Sequence, residues 1–404
     1  MANTFLTPDM ITRTALVILH QEAHFIGSIN RQYDASFAKE GAKIGDSLRI
    51  RLPNQYAVIS GATYSDVDQT EVSTTLTIDT WKQVPMFFGD ADLALKIQDF
   101  TPRFIQPATA AMAASLEASA LEMVQSVYNT IDAIGTSMSL RQVLDAKVKM
   151  ELDLAPSDGR WIALLKNQDQ ADLVNANKGL FQDASEISKQ YKKGIMGVTG
   201  GYTFYATTLM NTHTSGTCSA TNNYTVNTSI TPSATTPVTS LNFINNTGPQ
   251  GTLVAGDVFT ITGLNKVHPE TKTDLGVEQQ FVVAADVAAS SAPTVTFAPA
   301  IYMTGARQNV ASTALVGKAV VKLGAPSYVY KPSLFFHPDA FTFATADLEL
   351  PRGVDMASRQ EKDGISMRLV RDFDPVYSRM ITRLDVLAGK KAIRPALAAQ
   401  VLSL

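Results

Sequence analysis

His20 and His24 stand four residues apart, a spacing that puts two imidazoles on one helical face within reach of a single metal ion. No third ligand accompanies them, and Arg13 and Arg31 share that face and oppose a cation, so the pair reads as a solvated polar surface. Asp372 and Asp374 fall on one side of a strand, as do Asp90 and Asp92 if extended. Paired carboxylates run acid–base catalysis when their surroundings push their pKa values apart. Arg368 and Arg371 stand near the first pair, which favours ordinary ion pairing. Gly194, Gly197, Gly200 and Gly201 suggest a loop that cradles phosphate, but a P-loop needs Gly-Lys followed by Ser or Thr. Gly317-Lys318 and Gly389-Lys390 lack that residue, and turn geometry before a strand explains the glycines better. His213, His268 and His337 are isolated in sequence and read as surface or core histidines. Cys218 lies among Ser and Thr with no nearby cation to lower its pKa, so it is inert. With neither a GxSxG elbow nor an HExxH motif, no catalytic residue, cofactor or metal is expected, and the chain is not expected to be an enzyme.

Composition narrows the classes further. The 404 residues exceed what one compact core holds, so two or three domains are expected. Hydrophobic residues make up 45% and charged residues 18%, which excludes a disordered chain. A net charge of −3 argues against a polymer-binding role driven by counterion release. A single cysteine excludes an internal disulfide frame. No apolar run approaches the roughly 20 residues of a membrane helix, and the short stretch 15–19 follows Asp9 rather than a basic flank. No membrane partner is expected, and a reducing cytoplasm is the expected place of synthesis.

The elements that would position these residues follow from periodicity. Thr7-Pro8-Asp9 opens a helix, after which Ile11, Ala15, Ile18, Leu19, Phe25, Ile26 and Ile29 form an apolar stripe over 7–31. Leu48, Ile50 and Leu52 alternate with polar residues, as do Val72, Leu76 and Ile78. Two such strands joined by the loop 53–70 make a ribbon that is marginal alone in water. Its six apolar side chains represent about 10–15 kcal/mol once covered, and the covering surface is expected on another molecule. Residues 107–134 predict a long alanine-rich spine helix of about 42 Å, with Met112, Leu116, Ala120, Met123, Val127, Ile131 and Ile134 in one stripe. Helical and strand signals alternate from 139 to 210. No Asp, Glu, Lys or Arg lies between Lys193 and Asp257, and short strands at 257–261, 279–284, 294–298 and 318–323 suggest a β-barrel or sandwich over 212–325.

The order of these parts, and several segments, resemble a known family. Arg383-Leu384-Asp385-Val386-Leu387-Ala388-Gly389, then Ile393-Arg394-Pro395-Ala396-Leu397-Ala398, resembles the ending of tailed-phage major capsid proteins of the Hong Kong ninety-seven fold. Ala255-Gly256-Asp257-Val258-Phe259-Thr260, Val267-His268-Pro269-Glu270-Thr271-Lys272 and Gln279-Gln280-Phe281-Val282-Val283 are similar to the β domain inserted in podovirus-type coat proteins. Leu334-Phe335-Phe336-His337-Pro338-Asp339-Ala340-Phe341 resembles that family's re-entry into the axial domain.

The resemblance implies an α+β fold. It comprises an N-terminal arm (1–35), an extended loop (36–84), a peripheral domain with the spine helix (85–135 and 341–385), an axial domain (136–211, 326–340 and 386–404) and an inserted β domain (212–325). It implies a subunit of an icosahedral head shell, with itself as partner in hexamers and pentamers. Scaffolding protein, portal and weakly held, sequence-independent double-stranded DNA would be the other partners, with assembly in the host cytoplasm and residence in the virion. Contacts between subunits would use Ile11, Ile18 and Phe25 of the arm and Leu48, Ile50, Leu52, Val72, Leu76 and Ile78 of the ribbon. Lys266, Glu270, Lys272 and Asp274 would serve in the inserted domain, whose 212–256 stretch lacks the charges relatives commonly use. The alternatives are a phage tail or decoration protein, which would not need the spine helix, and a carboxylate-dependent hydrolase.

Overall fold

A computed structural model describes residues 12, 15, 24–31, 47–56, 58, 61–62, 71–89, 106–177, 198–219, 224–230, 233, 236–245, 250–362 and 364–403. Ile11, Ile18, His20, Arg13, Asp90, Asp92, Gly194 and Gly197 therefore lie outside the described residues. The chain forms two compact units, one from 1–50, 73–122 and 341–393, the other from 51–72, 123–340 and 394–404.

The first unit is built on a six-stranded sheet. Its order is Ser47–Arg51, Ser73–Gly89, Arg379–Ala392, Ile365–Asp374 and Met356–Lys362, with Phe341–Ala346 also paired to Arg379–Ala392. Alternation sets one face: Leu76 and Ile78 are fully buried while Thr75, Thr77 and Asp79 are exposed. The helix Gln106–Leu121, with Pro107 in its first turn, packs Ala108, Met112, Ala113, Leu116 and Ala120 inward and lies against the Ser73–Gly89 strand. Lys390 ties the sheet to that helix by hydrogen bonds to the Ser119 carbonyl and hydroxyl, both 2.8 Å, and by an ion pair with Glu122. At Gly389 a Cβ would stand 2.5 Å from the Thr77 carbonyl oxygen, so only glycine allows the irregular register there.

The spine helix is shorter than periodicity suggests. It gives way at Leu121 to a 3-10 turn, Glu122–Ser126, and Thr130–Asp132 is a strand pairing in parallel with Ala398–Leu402. Val124, Val127, Thr130 and Ile131 are β-branched, and Asn129 disfavours helix, so the sheet wins this stretch. The strand Arg379–Ala392 runs unbroken through 385.

The second unit holds a mixed sheet and a barrel. The sheet order is Thr130–Asp132, Ala398–Leu402, Ser333–Phe336, Trp161–Lys166, Tyr202–Thr207 and Val198–Thr199. Helix Leu140–Leu152 starts at Ser139, whose backbone N–H donates to the Gln142 side chain, and the helix Asn167–Asn177 follows directly on the strand Trp161–Lys166. The barrel order is Val320–Lys322, Val258–Val267, Asp274–Val283, Thr294–Ile301, Val238–Asn245 and Tyr224–Val226. A bridge between Thr225 and Ala319, with Val226 N–H on the Lys318 carbonyl at 2.9 Å, closes it on itself. Phe259 centres the interior, 5.6 Å from Phe243, 5.7 Å from Phe281 and 5.9 Å from Phe297. Hydroxyls replace charge on the Thr-rich side: Thr217 and Thr252 exchange backbone-to-hydroxyl bonds of 3.0 and 2.8 Å.

Candidate subunit interfaces

The histidines and paired acids that invite a chemical reading serve the fold. His213 Nε2 meets Asp257 Oδ1 at 3.0 Å where the chain enters the barrel, and the fully buried His337 meets Asp158 at 3.2 Å. His268 Nδ1 accepts the N–H groups of Glu270 and Thr271. Asp374 pairs with Arg379 at 3.2 Å, whereas Arg371 pairs with Asp355 and Arg368 with Asp385, so the ion pairs differ from those that proximity in sequence suggested. Among the described residues, no group of three or more His, Cys, Asp or Glu is placed to hold a metal, and no helix is long and apolar enough to cross a membrane.

Surfaces that meet another molecule are the remaining candidates. In the arm, Phe25 is 1% exposed. Its N–H donates to Glu117 Oε1 at 3.2 Å, and its ring lies edge-on to Phe341 at 5.6 Å. Phe25 is therefore satisfied by its own chain and is not free to anchor a neighbour. The ribbon needs the same correction. Leu76, Ile78 and Ile50 are buried, Ile78 among Ala346, Leu387 and Leu348; Ser73–Gly89 extends far beyond the expected strand and from Ile78 onward pairs along Arg379–Ala392. Leu48, Leu52 and Val72 are half-buried, and Leu52 N–H closes the ribbon on the Val72 carbonyl at 2.8 Å. Among the described residues, the large apolar side chains exposed between them are Tyr56 at 61% and Val58 at 90%. Alternation missed both because they fall in the loop, yet the apolar run Tyr56-Ala57-Val58-Ile59 was a visible signal.

In the barrel the four charged candidates separate. Lys266 is buried and pairs with Asp153, which also accepts Asn129 Nδ2 at 2.8 Å; it joins barrel to mixed sheet and is withdrawn as a surface contact. Gln280 adds to that joint, its amide trading 2.8 Å bonds with both the N–H and the carbonyl of Thr130. Burial lowers the Lys272 amine, whose Nζ donates to the Gln308 carbonyl at 3.2 Å. Bonds from Gly276 N–H and Asn265 Nδ2 hold the Asp274 carboxyl below its ordinary range. Lys272 and Asp274 thus shape the loop, and Glu270 stands exposed on it.

One surface escaped the sequence reading. On the sheet of the first unit, Trp81, Phe87, Arg379, Arg383 and Asp385 share a face by register. Trp81 is 41% and Phe87 70% exposed, with Arg368 and Arg383 over the first ring and Arg379 over the second. Asp385, fully buried, binds Arg368 at 2.6 Å and Arg383 at 2.9 Å.

Comparison with known proteins follows this geometry. A chain of Mycobacterium phage Che8 superposes with a TM-score of 0.51 at 10% identity, covering 94% of this chain and 90% of that one, which shows a shared fold. The capsid of Ralstonia phage GP4 gives a TM-score of 0.44 at 8% identity, over 94% and 93% of the two chains. No curated protein sequence matches. The family described as "P22 coat protein - gene protein 5" matches residues 24–402, nearly the whole of the chain. The chain belongs to the P22 coat protein family and is a major capsid protein that forms the shell of a phage head.

Proposed function

We propose that the segments carry the roles of a Hong Kong ninety-seven-type subunit with an inserted barrel. On this reading the first unit is the peripheral domain with its spine helix, the mixed sheet is the axial domain, and 51–72 is the extended loop that lies on an adjacent subunit. The observation that carries it is the exposure of Tyr56 and Val58 within a ribbon whose residues Leu48, Ile50, Leu52, Val72, Leu76 and Ile78 are buried or half-buried. Many weak contacts of this kind add up over a closed lattice. Hexamers and pentamers of the chain are the principal assembly, and Glu270 on its ordered loop is the charged group best presented to a neighbouring capsomer. Scaffolding protein and portal are further partners during assembly in the host cytoplasm. The net charge of −3 suits a container that holds packaged DNA weakly and without sequence preference. No catalytic role is assigned. Negative-stain microscopy of the chain, alone and with scaffold, tests this: closed spherical particles support it, and rods or dispersed subunits under both conditions overturn it.

A further inference from the structure

Glu117 lies on the inner face of the helix Gln106–Leu121 and is 2% exposed. Its Oε1 accepts the Phe25 N–H, the His24 N–H also bonds the carboxyl, and Oε2 is buried without a hydrogen-bond partner. A half-satisfied buried carboxyl is expensive to ionise. The same short segment is fixed at two further points. Phe25 packs on Phe341, and the Asn30 backbone brackets Thr342, donating to the Phe341 carbonyl at 3.3 Å and accepting from Phe343 N–H at 3.2 Å. Of these three attachments, only Glu117 changes charge.

We propose that Glu117 is a proton-operated latch, holding the His24–Ser28 helix on the spine helix while its carboxyl is neutral and releasing it once charged. Burial, opposed by the N–H bonds from Phe25 and His24, raises this carboxyl from 4.5 to about 7. The docked state thus binds the proton more tightly than the released state. Its extra stability is complete below 4.5 and is lost as pH rises through about 7. Among the described residues, the other charged groups at this contact are His24, with an exposed side chain, and Arg31, which donates to the Gly27 carbonyl at 3.3 Å. Beyond the spine helix come Glu122 and Lys390, paired with each other, and the Phe341–Ala346 strand carries no titratable side chain. The latch does not depend on the shell reading.

Hydrogen exchange of the full chain, read by mass spectrometry on peptides covering 24–31 and corrected for intrinsic rates, tests the latch. Protection should fall about tenfold from pH 6 to pH 8, the ratio that values of 4.5 and about 7 impose. Glu117→Gln should hold protection constant over that range, while His24→Gln should keep the wild-type fall. Should Glu117→Gln fail to fold, Phe25→Ala serves instead, undocking the segment and removing the pH dependence. A flat wild-type profile, or a fall that survives Glu117→Gln or Phe25→Ala, overturns the proposal.

Discussion

Two aspartates show how burial turns an ordinary charge into a structural commitment. Asp385 neutralises Arg368, which is itself almost wholly buried, and Arg383, which is not. Removing the acid leaves one buried guanidinium unpaired, so Asp385→Ala is expected to cost about 3–5 kcal/mol in urea unfolding. Arg383→Ala, at a site 38% exposed, should cost under about 1 kcal/mol. Asp257 works at the barrel's entrance. Burial would raise its carboxyl, yet bonds from His213, Val254 N–H and Gly216 N–H, with the Lys322 charge, hold it below 3.8. Its contribution is present above pH 3.8 and is lost as pH falls through the lowered value. Asp257→Asn should therefore reduce stability by about 2 kcal/mol at neutral pH and flatten the loss below about pH 4, measured by thermal melts across pH.

At the scale of elements, alternation revealed which side of a strand is apolar but not which body covers it. Leu76 and Ile78 were legible as one face of a ribbon; the cover of Ile78, Leu387 on the returning strand Arg379–Ala392 with Ala346 and Leu348, lies some three hundred residues further on. Ile78→Ala is accordingly expected to destabilise the subunit by about 2–5 kcal/mol, visible as a lower denaturation midpoint, rather than to spare the fold and weaken assembly. The barrel strands near 258, 281, 294 and 320 were legible because each carries apolar β-formers between turns. The spine helix was overread because the stripe through Val127 and Ile131 suits helix and strand alike, and pairing with Ala398–Leu402 decides it. Lys266 was taken for a surface charge because its partner, Asp153, ends a helix remote in sequence. The Arg–aromatic face around Trp81 and Phe87 escaped for the same reason: it exists only after distant strands are placed side by side. At the joint between barrel and mixed sheet, Gln280→Ala should raise amide exchange at Thr130–Asp132, since one amide satisfies both backbone groups of Thr130.

For the molecule as a whole, the two units bury their own cores, so the drive to assemble must come from what they leave uncovered. The ribbon tip offers Tyr56 and Val58, and neither supports the subunit's interior. Placing charge there should separate assembly from folding. The decisive measurement compares the wild-type chain with a Tyr56→Asp/Val58→Asp variant by sedimentation velocity and negative-stain microscopy in the presence of scaffold. Closed particles from the wild type, and dispersed subunits with an unchanged melting temperature from the variant, are the predicted result. Variant particles as numerous and as closed as the wild type's would contradict the account.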